Sequence, residues 1–91
     1  MTHNEALAFL TRIGAEKTGP EDWTLTVDTS TVRISCGGPD LHRWMVTPAG
    51  NEVDTCFATD PQQALLDLGA ELSDMASHCS GLGLAITRLA V

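Results

Sequence analysis

Five side chains in this sequence have the chemistry to hold a zinc ion: Cys36, His42, Cys56, His78 and Cys79. Structural zinc draws its ligands in closely spaced pairs that a tight turn can aim at one point. Only His78 and Cys79 are close, and neighbours on a helix point about 100° apart. Cys79 also continues the apolar series Leu65, Leu68, Leu72 and Met75, where a thiol behaves as core filling. Neither a metal site nor a cofactor is expected.

Other chemistry is equally thin. Nucleophilic catalysis asks for a serine, threonine or cysteine beside a base and an orienting acid, and no GxSxG-like turn is present. Ser80-Gly81-Leu82-Gly83 reads as a loop that ends a helix. Its lone Gly81-x-Gly83 is too short for a dinucleotide fingerprint and stands at the wrong end of a helix to attract phosphate. Glu52 and Asp54 would share one face of a strand, as an acid/base or metal-binding pair does. Gly50-Asn51 beside them marks a hairpin end, where two carboxylates are ordinarily just solvated. The chain is therefore expected not to be an enzyme.

One charged pattern remains. Asp67, Glu71 and Asp74 recur at helical spacing beside the apolar Leu65, Leu68, Leu72 and Met75, and His78 falls one turn after Asp74 on the same side. Like charges at i, i+4 oppose helix formation, so an acidic stripe is either tolerated for solubility or used. Carboxylates one and two turns from His78 favour its charged form. Leu66 projects off the core-facing phase, which implies a second contact, with the end of the chain or with another molecule.

The elements that must carry this stripe follow from periodicity. Thr2 and Glu5 have capping-box spacing, and Ala6, Phe9, Leu10 and Ile13 fall at i, i+3, i+4 and i+7, predicting a helix over residues 3–17 stopped by Gly19-Pro20. Trp23, Leu25 and Val27 alternate with polar residues, as do Val32, Ile34 and Cys36 after a turn at 28–31. Gly37-Gly38-Pro39-Asp40 is a strong turn before a third strand around His42, Trp44 and Val46, and 53–58 reads as a fourth. Asp60-Pro61-Gln62-Gln63 combines an N-cap acid, proline at the first helical position and glutamine at the third, so a second helix should run from there to residue 77 or 79. Residues 84–91 fit a short fifth strand or a last turn of helix, and the strand is preferred.

The strands share an apolar face of Trp23, Leu25, Val27, Val32, Ile34, Trp44 and Val46 and a polar face of Thr24, Thr26, Thr31, Arg33 and Ser35. Both tryptophans stand on the apolar phase, which makes them core rather than a ligand platform. Both helices must then pack on one side. The expected fold is α+β: a two-layer sandwich in which an antiparallel meander of about four strands carries two helices on one face, in the order α-β-β-β-β-α. At 91 residues and 43% hydrophobic content, the chain is read as one domain with a modest core.

The order helix, three or four strands, helix resembles in outline the double-stranded RNA-binding domain, a family that holds phosphates through a basic start to its second helix. Here that start is Asp60-Pro61-Gln62-Gln63, without lysine or arginine. The net charge of −7 argues the same way against nucleic acid and anionic membrane. It is unevenly placed. Residues 1–43 carry six acids against Arg12, Lys17, Arg33 and Arg43, whereas 44–91 carry six against Arg88 alone. Three cysteines without paired spacing suit a reducing compartment, and neither a signal peptide nor an 18-residue apolar run is evident, so a cytoplasmic protein is expected.

These readings converge on a small acidic binding module that meets a basic surface on a protein partner through Asp67, Glu71, Asp74, Leu66 and His78. A carboxylate array presents negative charge where phosphates would lie, so a phage or mobile-element inhibitor of a host nucleic-acid complex, of the anti-CRISPR kind, is one specific expectation. The alternative is a secretion chaperone or toxin-immunity protein with one dedicated partner. A homodimer is compatible with either.

Overall fold

The computed structural model of the chain describes residues 2–37, 43–49, 55–73 and 80–91. Its elements are α1 (His3–Arg12), β1 (Glu16–Gly19), β2 (Asp22–Val27), β3 (Ser30–Cys36), β4 (Trp44–Pro48), β5 (Cys56–Ala58), α2 (Pro61–Ser73) and α3 (Ser80–Ala90). The five strands form one antiparallel sheet in the order β1-β2-β3-β4-β5, and the helices pack on it, giving an α+β fold.

Register explains why a single face is apolar. Trp23 lies opposite Ile34, Ile34 opposite Val46, and Val46 opposite Cys56, while Leu25 meets Val32 on the same face. With a side-chain period of two, Leu25, Val27, Val32, Ile34 and Val46 all end buried beneath the helices. Trp23 and Trp44 pack with ring centroids 5.5 Å apart and are 6% and 4% exposed, which makes them core. From the helices come Ala6, Phe9 and Leu10 of α1, Ala64, Leu65, Leu68 and Leu72 of α2, and Ile86 and Ala90 of α3.

Three expectations are corrected. The first helix ends at Arg12 rather than 17. Gly14 adopts φ 85°, the Ala15 amide bonds the Leu10 carbonyl at 3.0 Å and the Gly14 amide bonds the Thr11 carbonyl at 3.1 Å. This is a Schellman stop, in which a left-handed glycine satisfies the last carbonyls. The chain it releases becomes an additional edge strand, β1, so the meander has five strands rather than four.

The other two corrections concern the end of the chain. Residues 84–91 do not form a strand, and Gly81-Leu82-Gly83 does not end a helix. All three lie within α3, which makes three helices instead of two. The physical reason is close packing. A Cβ built on Gly83 would stand 2.6 Å from both the Gly69 carbonyl oxygen and the Ser73 amide nitrogen, and one on Gly69 would strike the Thr87 hydroxyl. Glycine is required where two helix backbones approach this nearly, and that need outweighs its poor helix propensity of about 1 kcal/mol.

Both sequence-predicted caps are present. Thr2 and Glu5 exchange the two bonds of a capping box at 3.0 and 3.2 Å, and the Asp60 carboxylate accepts the Gln63 amide at 2.8 Å. The expected turn residues 38–40, the strand positions Leu41 and His42, the hairpin residues 50–54 and the helix residues 74–79 lie outside the described residues.

Candidate interaction surface

The candidate surface is built on α2, whose four sides have different neighbours. Pro61, Ala64, Leu65, Leu68 and Leu72 are buried toward β4 and β5. Gln62, Gly69 and Ser73 face α3: the Gln62 Nε2 donates to the Ala90 carbonyl at 2.8 Å, and Gly69 and Ser73 stand against Gly83. These pairings, early residues of α2 with late ones of α3, make the two helices antiparallel. Leu66 falls between Gln62 and Gly69 on this stripe and is half-buried against the core. Its off-phase position therefore has a contact inside the molecule, against the core.

The remaining sides carry the acid. Asp67 is exposed and accepts a hydrogen bond from the side-chain Nε2 of Gln63 at 2.9 Å, one turn earlier. Glu71, also exposed, leans toward the edge strand β5, where it accepts from the Cys56 thiol at 3.2 Å. The structure thus places Asp67 and Glu71 together, one turn apart, along the flank of α2 above β5. Leu66 belongs to the opposite flank. Asp74 and His78 lie outside the described residues, as do Glu52 and Asp54.

Of the five residues weighed as zinc ligands, Cys36 and Cys56 are described, both half-buried, and His42, His78 and Cys79 are not. Among the described residues, no group of three or more His, Cys, Asp or Glu side chains is placed to hold a metal ion. No helix among them is long and apolar enough to cross a membrane.

Sequence reasoning overlooked a feature of the polar face of the sheet. The Arg43 guanidinium lies 4.3 Å from the centre of the Phe57 ring, and that ring is 49% exposed. Phe57 pairs with Met45 across β4 and β5, so it stands on the face away from the helices. A cation over an aromatic face is favourable by about 0.5–1 kcal/mol at an exposed site. The signal was available in the alternation of β5, where Cys56 and Ala58 occupy the inner phase and Phe57 the outer. Beside this patch the Ser35 hydroxyl donates to Asp22 at 2.8 Å, and buried Thr47 bonds Thr55 at 3.1 Å.

The helical flank thus presents the carboxylates of Asp67 and Glu71, whereas the outer face of the sheet mixes Arg33, Arg43, threonines and Phe57 with Asp22. Comparison of the chain with family models, curated proteins and solved structures finds no match.

Proposed function

We propose that this chain is a small, non-enzymatic protein-binding module that meets a basic surface of its partner with the acidic flank of α2. One observation carries the reading. Asp67 and Glu71 stand exposed one turn apart, and their hydrogen bonds go to uncharged groups, the Gln63 side-chain amide and the Cys56 thiol. Among the described residues no cation of the chain pairs with them, and the sequence adds Asp74 three residues later. Carboxylates held this way attract a cationic surface over distance and set the rate of encounter.

A carboxylate row on a helix can lie in a groove that otherwise receives phosphates. The specific form of the proposal is accordingly an inhibitor of a nucleic-acid-handling complex, the role that anti-CRISPR proteins of phages play.

The test begins with affinity capture from the native host and identification of what is retained. A nuclease or ribonucleoprotein fits the inhibitor, and a single secreted protein fits a chaperone or immunity role. The association rate is then measured with Asp67, Glu71 and Asp74 changed together to Lys. That variant should associate at least about tenfold more slowly at low salt, because close like-charge contacts cost several kcal/mol. The gap should narrow as added salt shortens the screening length toward about 8 Å. A variant that binds as fast and as tightly as the original at low salt would leave the acid with solubility as its only role.

A further inference from the structure

The exposed side of α3 differs from the rest of the molecule. Its outward residues Gly81, Leu84 and Arg88 recur at i, i+3 and i+7, and Leu84 is 55% exposed. Residues 80–91 contain no acid and one cation, within a chain of net charge −7. Between α3 and the end of β2 runs a groove of about 570 Å³, walled by Val27, Leu84, Ala85 and Leu89, with Asp28 and Arg88 also lining it. Asp28 and Arg88 share this groove, yet among the described residues neither forms an ion pair or a side-chain hydrogen bond, with the other or with a third side chain.

We propose that this groove is the contact surface between two copies of the chain, related by a two-fold axis. Each copy inserts Leu84 between the apolar walls of the other. Each Arg88 meets Asp28 of the partner subunit. In a two-fold interface, a contact from the first residue to the second implies the reverse contact, so one complementary pair per chain becomes two per dimer. Charge singles out a second copy as the occupant. Two molecules of this acidity that met through the α2 flank would bring carboxylate against carboxylate. Among the described residues that line the groove, the only acid is Asp28, and the other copy presents Arg88 there. An exposed leucine beside an apolar groove on the same face supplies the shape half of the match.

The extent of the surface sets the strength. An α3 of 11 residues is about 16 Å long, so the interface falls at the small end of specific contacts, below about 1,200 Å² in total, and the dimer should dissociate in the micromolar range. This inference is independent of the acidic-flank proposal, since it uses other residues and its readout needs no foreign partner.

Sedimentation equilibrium from about 1 to 500 µM brackets that range. The unaltered chain should pass from monomer to dimer. Leu84→Glu should remain monomeric throughout, and Arg88→Glu or Asp28→Lys alone should weaken the dimer by about tenfold or more through like-charge contacts. Mixing Arg88→Glu chains with Asp28→Lys chains restores both pairs, so the mixture should form a heterodimer more tightly than either variant alone self-associates. Asp28 has φ 54°, a conformation that lysine adopts less readily than aspartate. Circular dichroism and the thermal midpoint therefore accompany each variant, and Asp28→Asn, which tolerates this φ, replaces the lysine variant in self-association assays if the latter is unfolded. Asp28→Asn should weaken the dimer by a smaller factor. A monomer at every concentration, a dimer indifferent to Leu84→Glu, or a mixture that associates no better than its folded components would each overturn the proposal.

Discussion

The two packed flanks of α2 are held by different means. Toward the sheet it presents Leu65, Leu68 and Leu72, all fully buried, and its hold there is apolar area removed from water. Toward α3 it presents Gly69 and Ser73 to Gly83 and Thr87, so the backbones approach nearly and the hold is close backbone contact. On that side both hydroxyls turn back on their own helices: Ser73 bonds the Gly69 carbonyl at 2.7 Å and Thr87 the Gly83 carbonyl at 2.9 Å. The pattern is reciprocal, with a glycine and a hydroxyl residue four positions later on each helix. Large side chains tolerate trimming at the cost of a cavity. A glycine contact tolerates no growth.

The largest effect should come from the sheet side. Leu68→Ala removes a fully buried side chain and should cost about 2–5 kcal/mol, read as a lower denaturant midpoint at constant slope. An unchanged midpoint would remove α2 from the core. On the α3 side, Gly83→Ala adds a single methyl group where backbone atoms already stand 2.6 Å away. It should cost about 1–3 kcal/mol even though alanine is the better helix former. Gly81→Ala is the control, because a Cβ there meets nothing within 4 Å, and it should be neutral or slightly stabilising.

This contrast also explains what could be read in the sequence. The leucine side of α2, the strand alternation and both caps announce themselves through periods of 3.6 and 2 and through local hydrogen-bond chemistry. The α3 side gives the opposite signal. Gly81 and Gly83 read as breakers when taken locally, and only the neighbouring helix, distant in sequence, turns Gly83 into a packing residue. Gly14 misleads in a different way: the apolar series continues through Ile13, so the later Gly19-Pro20 reads as the stop, while the left-handed turn at Gly14, five residues earlier, ends the helix. Of the acidic stripe, the pairing of Asp67 with Glu71 was legible from spacing. The Cys56 contact of Glu71 was not, because it depends on which strand lies at the edge.

A smaller effect should come from Gln62→Ala. It removes the part-buried bond to the Ala90 carbonyl, which ties the start of α2 to the end of α3, and should cost about 1 kcal/mol. If the loss is additive with Gly83→Ala, the two ends of the helix pair are independent, and non-additivity would make the pair one cooperative contact.

The smallest effect should be found at α1, which lies outside this comparison. Hydrogen bonding by Thr2 to the carboxyl, from its backbone amide first and then its hydroxyl, holds Glu5 below the usual carboxylate value. A carboxyl whose folded-state pKa is depressed contributes stability that is present above its unfolded value and is lost as the pH falls through the folded one. The difference in thermal midpoint between the chain and Glu5→Gln should therefore be present at neutral pH and vanish in acid. A difference that persists unchanged in acid would mean that the carboxylate charge plays no part.

The order of the sheet carries one more consequence, for how quickly the molecule assembles. Each strand pairs with its neighbour in sequence, so no pairing must wait for a distant part of the chain to be found. The loop-closure entropy of each step is small, and topologies dominated by local pairings cross their folding barriers faster than those with crossovers. The sheet can grow one hairpin at a time, with α1 already capped at one end and the α2–α3 hairpin closing over it from the other.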